Sequence, residues 1–268
     1  NPWLALPPQV VVTFMEAMVE EYKDENPYHN WAHACDVSHG VFRSCQLNKA
    51  LEFATRVDVF ALLVAAISHD AGHPGLNNIF LVQSSHELAL RYNDVSPLEN
   101  MHCSTMFAVL SSRPEANVFA MLSREQYREA RQVCIETILH TDNAKHFEMV
   151  KELQMFYHTN SEAFERPGLG FPSTAEVELL SQSKHRKLAL QAMLHGADIS
   201  NPCKPWDICE AWADLVLSEF FAQGDKEKAL GMTVQPLNNR ETVNKPSSQV
   251  AFIEFFIYPF NTALVKIF

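Results

Sequence analysis

Apolar residues recur at three- and four-residue intervals through most of the chain, and the runs between breakers are long enough for helices rather than strands. β-Branched runs are few, and serine or threonine precedes several periodic stretches as a helix start. The pattern predicts an all-α fold, with helices near 12–23, 31–46, 56–68, 86–92, 97–111, 124–157, 174–195, 206–222 and 248–267. Segments 165–172 and 231–246 read as loops, and the second, running straight into 249, is expected to act as a mobile wall of a pocket there. No internal repeat or low-complexity tract interrupts this pattern.

Composition sharpens the picture in three ways. A chain of 268 residues that is 47% hydrophobic buries a full core and fits one large domain, and only 8 glycines fall in it. The net charge of −11 argues against a nucleic acid polymer as partner, because that binding uses clustered lysine and arginine. It leaves a small anionic ligand open, since bound metal reverses the local field. Six cysteines without a CxxC pair point to buried thiols in a reduced, intracellular and cytoplasmic protein. Segment 250–268 is apolar enough to be mistaken for a membrane span, but Glu254, Pro259, Asn261 and Lys266 interrupt it, and a buried terminal helix is expected instead.

The candidate chemistry lies in histidines and aspartates. His29 and His33 stand four apart and share one face if the stretch is helical. His69 and Asp70 end the apolar run 57–67, just before Gly72, Pro74 and Gly75; adjacent helical residues point about 100° apart, so the two approach one ion only at such an end. Asp198 stands where another helical stretch meets a turn. Together these residues offer mixed nitrogen and oxygen ligation suited to zinc or a borderline transition metal, and Asp70 is placed to bridge to a second, harder ion such as magnesium. A lone histidine is more often a core or surface residue. The joint occurrence with breakers reverses that balance.

Two further motifs carry alternatives. Ser96-Pro97-Leu98-Glu99 reads as a capping box with proline at the first helical position, so Glu99 is first of all a cap. Gln249 and Phe252, three apart, place an amide beside an aromatic face, as a purine site needs; plain packing of Phe252 among Phe255, Phe256 and Tyr258 is the competing account.

Segments 28–33, 69–75, 87–94, 98–100, 141–142 and 248–252 resemble, in order and with compatible spacing, the class I cyclic nucleotide phosphodiesterase catalytic domain, with a leaning toward its trypanosomatid members. The resemblance covers nearly the whole chain. It implies a compact, multi-helix, HD-type phosphohydrolase domain spanning 1–268, excised from a longer chain, with the metal site at the bottom of a deep pocket. By position it makes His33, His69, Asp70 and Asp198 the metal ligands, zinc in the tighter site and magnesium or manganese in the second. It makes His29 the acid that protonates the leaving oxygen and Glu219 the carboxylate that orients it. His73, Glu99, His102, Thr141 and Asp142 fall around the metals; Gln249, Phe252, Val216, Asn201 and Tyr28 fall around the base. Three positions depart from the family: Gly72 for an acid, Met101 for a histidine and Asn143 for an apolar residue, and Gly72 is expected to loosen the support of the metal site.

The reaction implied is hydrolysis of 3′,5′-cyclic nucleotides to 5′-monophosphates by a bridging hydroxide. Two ions neutralise an anionic diester, and a histidine near its ordinary pKa of roughly 6.5 supplies the proton that the alkoxide needs to leave. Another HD-type nucleotide phosphohydrolase would share the ligands but has no use for Gln249 and Phe252. A non-catalytic nucleotide-binding module is the third reading, and the intact ligand set and His29 argue against it. Adenine or guanine preference, metal identity and oligomeric state stay open.

Overall fold

Capping and breaker residues divide the chain into α-helices joined by short turns, with no strand among the described residues. The computed structural model describes residues 6–164 and 172–268, so most of the predicted loop 165–172 lies outside the described residues. In chain order the helices are α1 (Pro8–Val19), α2 (Trp31–Leu47), α3 (Arg56–Ser68), α4 (Asn78–Gln83), α5 (Glu87–Arg91), α6 (Pro97–Ser112), α7 (Arg124–Leu139), α8 (His146–Thr159), α9 (Ser161–Phe164), α10 (Thr174–Ser181), α11 (Ser183–Asp198), α12 (Trp206–Ala229), α13 (Lys245–Phe252) and α14 (Tyr258–Leu264). Among the described residues, none of them is long and apolar enough to cross a membrane.

The centre of the fold is α3. Thr55 caps it by accepting from the Asp58 N–H at 3.0 Å while the Asp58 carboxylate accepts from the Thr55 N–H at 2.9 Å. Val57, Ala61, Leu62, Val64, Ala65 and Ile67 are all buried, because α3 is covered by α2, α7 and α11 rather than by one neighbour. A helix enclosed on most sides needs no polar face, which is why this segment is nearly uniformly apolar.

Five predicted elements differ from the structure, four of them in their bounds. The first helix begins at Pro8 rather than 12, since proline is preorganised for the first helical position, and it stops at Val19. The single helix expected over 124–157 is two. Local side-chain bonds end α7: Thr141 Oγ1 donates to the Ile138 carbonyl at 2.8 Å and Lys145 Nζ to that of Leu139 at 2.6 Å, while Asp142 Oδ1 accepts from the Ala144 N–H at 2.9 Å. The helix expected over 174–195 breaks at Gln182, which is extended (ψ 133°), and Arg186 closes the break by donating to the Ser181 carbonyl and pairing with Asp58 at 3.0 Å. The helix expected to end at 222 runs on to Ala229: Gly224 is there for close approach, since a Cβ on it would lie 2.0 Å from the Asn238 carbonyl oxygen.

The C-terminal helix is not the buried one expected. It contains a π-helical turn, Ile253–Ile257, just before Pro259, whose missing N–H and ring an α-helical ladder does not accommodate. Ile257, Phe260, Ala263 and Ile267 are buried, whereas Phe255, Tyr258 and Val265 are exposed, so one face only meets the core. Buried thiols hold for Cys45, Cys103 and Cys134, while Cys35 and Cys203 are exposed; all six are free.

Leu62, fully buried in α3, is the packing centre most sensitive to truncation. Leu62→Ala is expected to lower unfolding free energy by about 2–5 kcal/mol, read as a lower midpoint in urea denaturation at unchanged slope.

Candidate active site

Three helix termini converge on one point. His33 lies in the first turn of α2, His69 caps the end of α3 with Asp70 just beyond, and Asp198 is the last residue of α11. His33 Nε2 stands 3.0 Å from Asp198 Oδ1 and 3.4 Å from Asp70 Oδ2; His69 Nε2 stands 3.1 Å from Asp70 Oδ2 and 3.3 Å from Asp198 Oδ1. Donors at about 2.0–2.1 Å from a single ion lie about 3.0–3.4 Å apart in octahedral or tetrahedral geometry. The four atoms match that spacing.

The surroundings prepare these donors for a cation. His69 Nδ1 donates to the Ala66 carbonyl at 2.8 Å, which leaves the Nε2 lone pair turned to the cluster, and neither His69 Nε2 nor Asp70 Oδ2 has a conventional hydrogen-bond partner although both are buried. Burial works to raise Asp70 and Asp198, yet His69 and His33 outweigh it and hold both carboxyls well below their usual range. Burial likewise works to lower His69, and Asp70 and Asp198 reverse it, carrying the imidazole well above its usual value. Protons thus stand in for the positive charge that these carboxylates require.

His29 sits beside this cluster, though not as expected. Helix α2 starts at Trp31 with Asn30 as its cap, so His29 precedes the helix and does not share a helical face with His33. It reaches the same cavity through the turn, its ring 5.8 Å from that of His33. Glu219, buried on α12, binds it three ways: Oε1 pairs with His29 Nδ1, and Oε2 accepts the Tyr28 and His29 backbone N–H groups at 3.0 Å each. Burial works to lower the His29 pKa, but the Glu219 charge and hydrogen bond dominate and raise it.

Sequence reasoning missed the residue beneath this pair. Asn26 Nδ2 donates to the carbonyls of His29 and His73 at 2.9 Å each, clamping two site histidines from below. Its only signal was a polar residue next to Pro27 in a segment that turns. His73 stacks on His29 with ring centres 3.9 Å apart, and burial together with the His29 charge pushes its pKa well down. His29, His73 and Glu219 form a second group of donors within 4.8 Å of one another. Stacked rings aim their in-plane lone pairs in parallel rather than at a common point, so this group is an ion-paired histidine and not a metal cradle.

Around the cluster, His102 Nδ1 donates to the Ala71 carbonyl at 2.7 Å, which places Nε2 3.6 Å from Asp70 Oδ1; burial takes its pKa down to about 4. The capping-box reading of Glu99 is overturned. Ser96 is left-handed (φ 44°) and gives its hydroxyl to Asp142 Oδ2 at 2.7 Å, while both Glu99 oxygens accept from Asn78 Nδ2 at 2.9 and 3.2 Å. Glu99 faces the cavity with Thr141 and Asp142, and burial, aided by the Asp142 charge, pushes its pKa up to about 7.

The cavity is about 780 Å³; Asp70 and Asp198 line it, and His33 and His69 are fully buried against them. Gln249, Phe252 and Val216 line the cavity, together with Trp212, Leu217 and Phe256, which sequence reasoning did not place there; the Trp212 ring lies 5.9 Å from that of His33. Asn201, in a 3₁₀ turn, donates from Nδ2 to the Tyr28 hydroxyl at 2.6 Å, and its Oδ1 is buried without a partner. Of the competing account of Phe252, packing on Phe256 is present, with ring centres 5.5 Å apart, whereas Phe255 and Tyr258 are exposed; Phe252 both meets the core and lines the cavity.

Two expectations about flexibility also change. Segment 231–246 contributes Leu237 to the cavity, but Glu227, fully buried, anchors it by accepting from the Gln235 N–H and side chain at 2.9 and 2.6 Å and from Asn238 Nδ2 at 3.1 Å. Gly72 does not loosen the metal region. It is left-handed (φ 81°), its N–H donates to the Glu21 carbonyl at 2.7 Å, and the space for a Cβ is filled by the Met101 sulfur, 2.8 Å away.

A family model described as 3′5′-cyclic nucleotide phosphodiesterase matches residues 28–268. The chain belongs to that family. Curated phosphodiesterases bear it out: the mouse high affinity cGMP-specific 3′,5′-cyclic phosphodiesterase 9A is 36% identical over 91% of this chain, and a Drosophila melanogaster 3′,5′-cyclic-AMP phosphodiesterase, isoform F, is 38% identical over 96%. The human dual specificity calcium/calmodulin-dependent 3′,5′-cyclic nucleotide phosphodiesterase 1C is 36% identical over 97%. The chain spans 42%, 37% and 34% of the lengths of these three relatives. Among solved structures, the phosphodiesterase domain of Salpingoeca rosetta rhodopsin phosphodiesterase matches with a TM-score of 0.88 at 30% identity, covering all of this chain and 76% of that one. Membership implies dependence on divalent metal, and the His33, His69, Asp70 and Asp198 donors fit such an ion.

Because Glu219 raises the His29 pKa, their pairing stabilises the fold fully below the unfolded histidine value of roughly 6.5, and that stabilisation is lost as pH climbs through the higher folded value. Glu219→Gln is expected to move the His29 titration to lower pH when its ring protons are followed by NMR. An unmoved titration would assign the shift to another group.

Proposed function

We propose that this phosphodiesterase hydrolyses 3′,5′-cyclic nucleotides to 5′-monophosphates. The observation that carries the reading is the joint placement of two imidazoles and two carboxylates at ion-ligating distance, a carboxylate-paired histidine beside them, and an amide with an aromatic face across one cavity. The cavity volume of about 780 Å³ is in the range that holds a small-molecule ligand.

In this reading His33, His69, Asp70 and Asp198 would hold zinc, and Asp70 would also be available to magnesium or manganese. Such ions, when bound, supply neutralisation of the phosphoryl oxygens and activation of water. His102, His73, Thr141, Asp142 and Glu99 border that region; Asn78 holds Glu99, and its raised pKa suits it to hold a proton there.

His29 serves as the general acid. Glu219 occupies Nδ1, so the proton available to the departing 3′ oxygen sits on Nε2, and the same pairing favours the charged ring. As the P–O3′ bond breaks, that proton moves to O3′, and the ring is recharged from solvent. Neutral His73, stacked against His29, supports the ring without competing for the proton.

Gln249 hydrogen-bonds the purine edge and Phe252 stacks on its face, with Val216 opposite. Asn201 and Tyr28 reach the same side; because Asn201 Nδ2 is engaged by Tyr28, its free Oδ1 is an acceptor for a base donor.

Metal-loaded protein incubated separately with cyclic AMP and cyclic GMP is expected to release the 5′-monophosphate, resolved by chromatography, and a chelated control none. Absence of product from both, with metal content confirmed, would refute the reading. Asp198→Ala and Asp70→Ala are expected to lose bound metal and turnover together. His29→Ala should retain metal and lower kcat by about 10²–10⁴-fold, and full activity in that variant would remove it as the acid.

A further inference from the structure

Behind the cavity lies a histidine pair that the proposed reaction does not use. His146 opens α8, and His195 stands on α11 three residues before Asp198; both are fully buried. His146 Nδ1 and His195 Nε2 are 2.9 Å apart, which requires one ring to donate and the other to accept. His195 Nδ1 has no partner, so the pair adds little net stability for two desolvated imidazoles. What a ring-to-ring hydrogen bond does supply is orientation.

That orientation is transmitted through a column of rings. The His195 and His146 centres are 5.2 Å apart, His146 lies 4.5 Å from Phe256 at an interplanar angle of 31°, and Phe256 lies 5.5 Å from Phe252 at 33°. Phe260 packs against both histidines, at 5.7 and 5.4 Å, and closes the far side of the column. Phe252 and Phe256 line the cavity, whereas His146 and His195 do not. Phe256 is carried by the π-helical turn, where hydrogen-bond geometry departs from the α-helical ladder, so its ring depends on its packing partners for position: His146, the nearer, and Phe147 at 5.2 Å.

We propose that His146 is a positioning residue for base binding: held by His195 on the helix that ends in Asp198, its ring backs Phe256 and thereby sets Phe252 against the base. The inference rests on the cyclic nucleotide reading of the cavity. It predicts that disturbing His146 weakens recognition of the base while the phosphodiester chemistry is untouched.

The test compares two substrates of the metal-loaded protein, cyclic AMP and a base-free 3′,5′-cyclic ribose phosphate, in wild type, His146→Ala, His146→Gln and His146→Phe. For His146→Ala, the KM for cyclic AMP is expected to rise about fivefold to tenfold, as for loss of one aromatic packing interaction. Its kcat, its metal content and its kcat/KM for the base-free substrate should match wild type. His146→Phe should restore most of the KM, because it returns a ring behind Phe256. His146→Gln, which keeps an amide for His195 but no ring, should raise KM as the alanine does, and decides the matter if the alanine variant fails to fold. An unchanged KM in the ring-less variants, or a parallel loss on the base-free substrate, would overturn the proposal. Wild-type protein that turns over neither substrate would instead overturn the phosphodiesterase reading, and this inference with it.

Discussion

Two carboxylates that line a cavity and two fully buried imidazoles, packed within hydrogen-bonding distance, set the terms for the rest of this molecule. Asp70 and Asp198 are desolvated and close to each other, which is costly unless positive charge is concentrated between them. Their neighbours supply geometry for such a charge rather than a lysine or arginine to neutralise it. Each donor is delivered by a helix end: the start of α2, the end of α3, the end of α11. Helix ends are where backbone direction changes, so three of them meeting allow four side chains to point at one place, which no single helix face permits. The uniformly apolar α3 at the centre follows from the same requirement, since its far end must be held rigidly within the core.

Helix α12 ties the chemistry to the recognition surface. Glu219 fixes His29 and the backbone at 28–29, Val216 lines the cavity, and two turns on from Glu219, Glu227, itself held by Gln223, anchors the segment that contributes Leu237. Gln223 Oε1 also accepts from the Asn77 N–H at 2.8 Å, and the adjacent Asn78 holds Glu99. A single element thus spans the proposed acid, the base wall and the border of the metal region, so their relative positions are set by one rigid body.

Irregular backbone is concentrated where the cavity needs it. The break after α7 turns Thr141, Asp142 and Asn143 into the cavity, and a continuous helix would have carried them past it. The π turn aims Phe256 between Phe252 and His146. The first departure is secured by local side-chain bonds together with the Ser96 hydroxyl on Asp142, and the second by ring contact with His146; these last two contacts reach across the chain.

The all-α class, the position of α3 to the residue and the roles suited to His69, Asp70 and Asp198 were legible in the sequence because they rest on local signals: apolar periodicity, a capping pair and breakers after a histidine and an aspartate. The family pattern named the wider residue set for the same reason, since those motifs are short and contiguous. Other features were decided only by the tertiary structure. Glu99 satisfies every local rule for a capping box, yet Asn78 and Ser96 engage partners distant in sequence and the box does not form. His29 shares a cavity with His33 through a capped turn, not a helical face. Asn26, His146 and His195 carry no motif at all, because their significance lies in which groups meet them across 47 to 49 residues of chain. Local propensity encodes where helices begin and end; which buried polar groups become partners depends on how those helices pack, and only the folded arrangement specifies that.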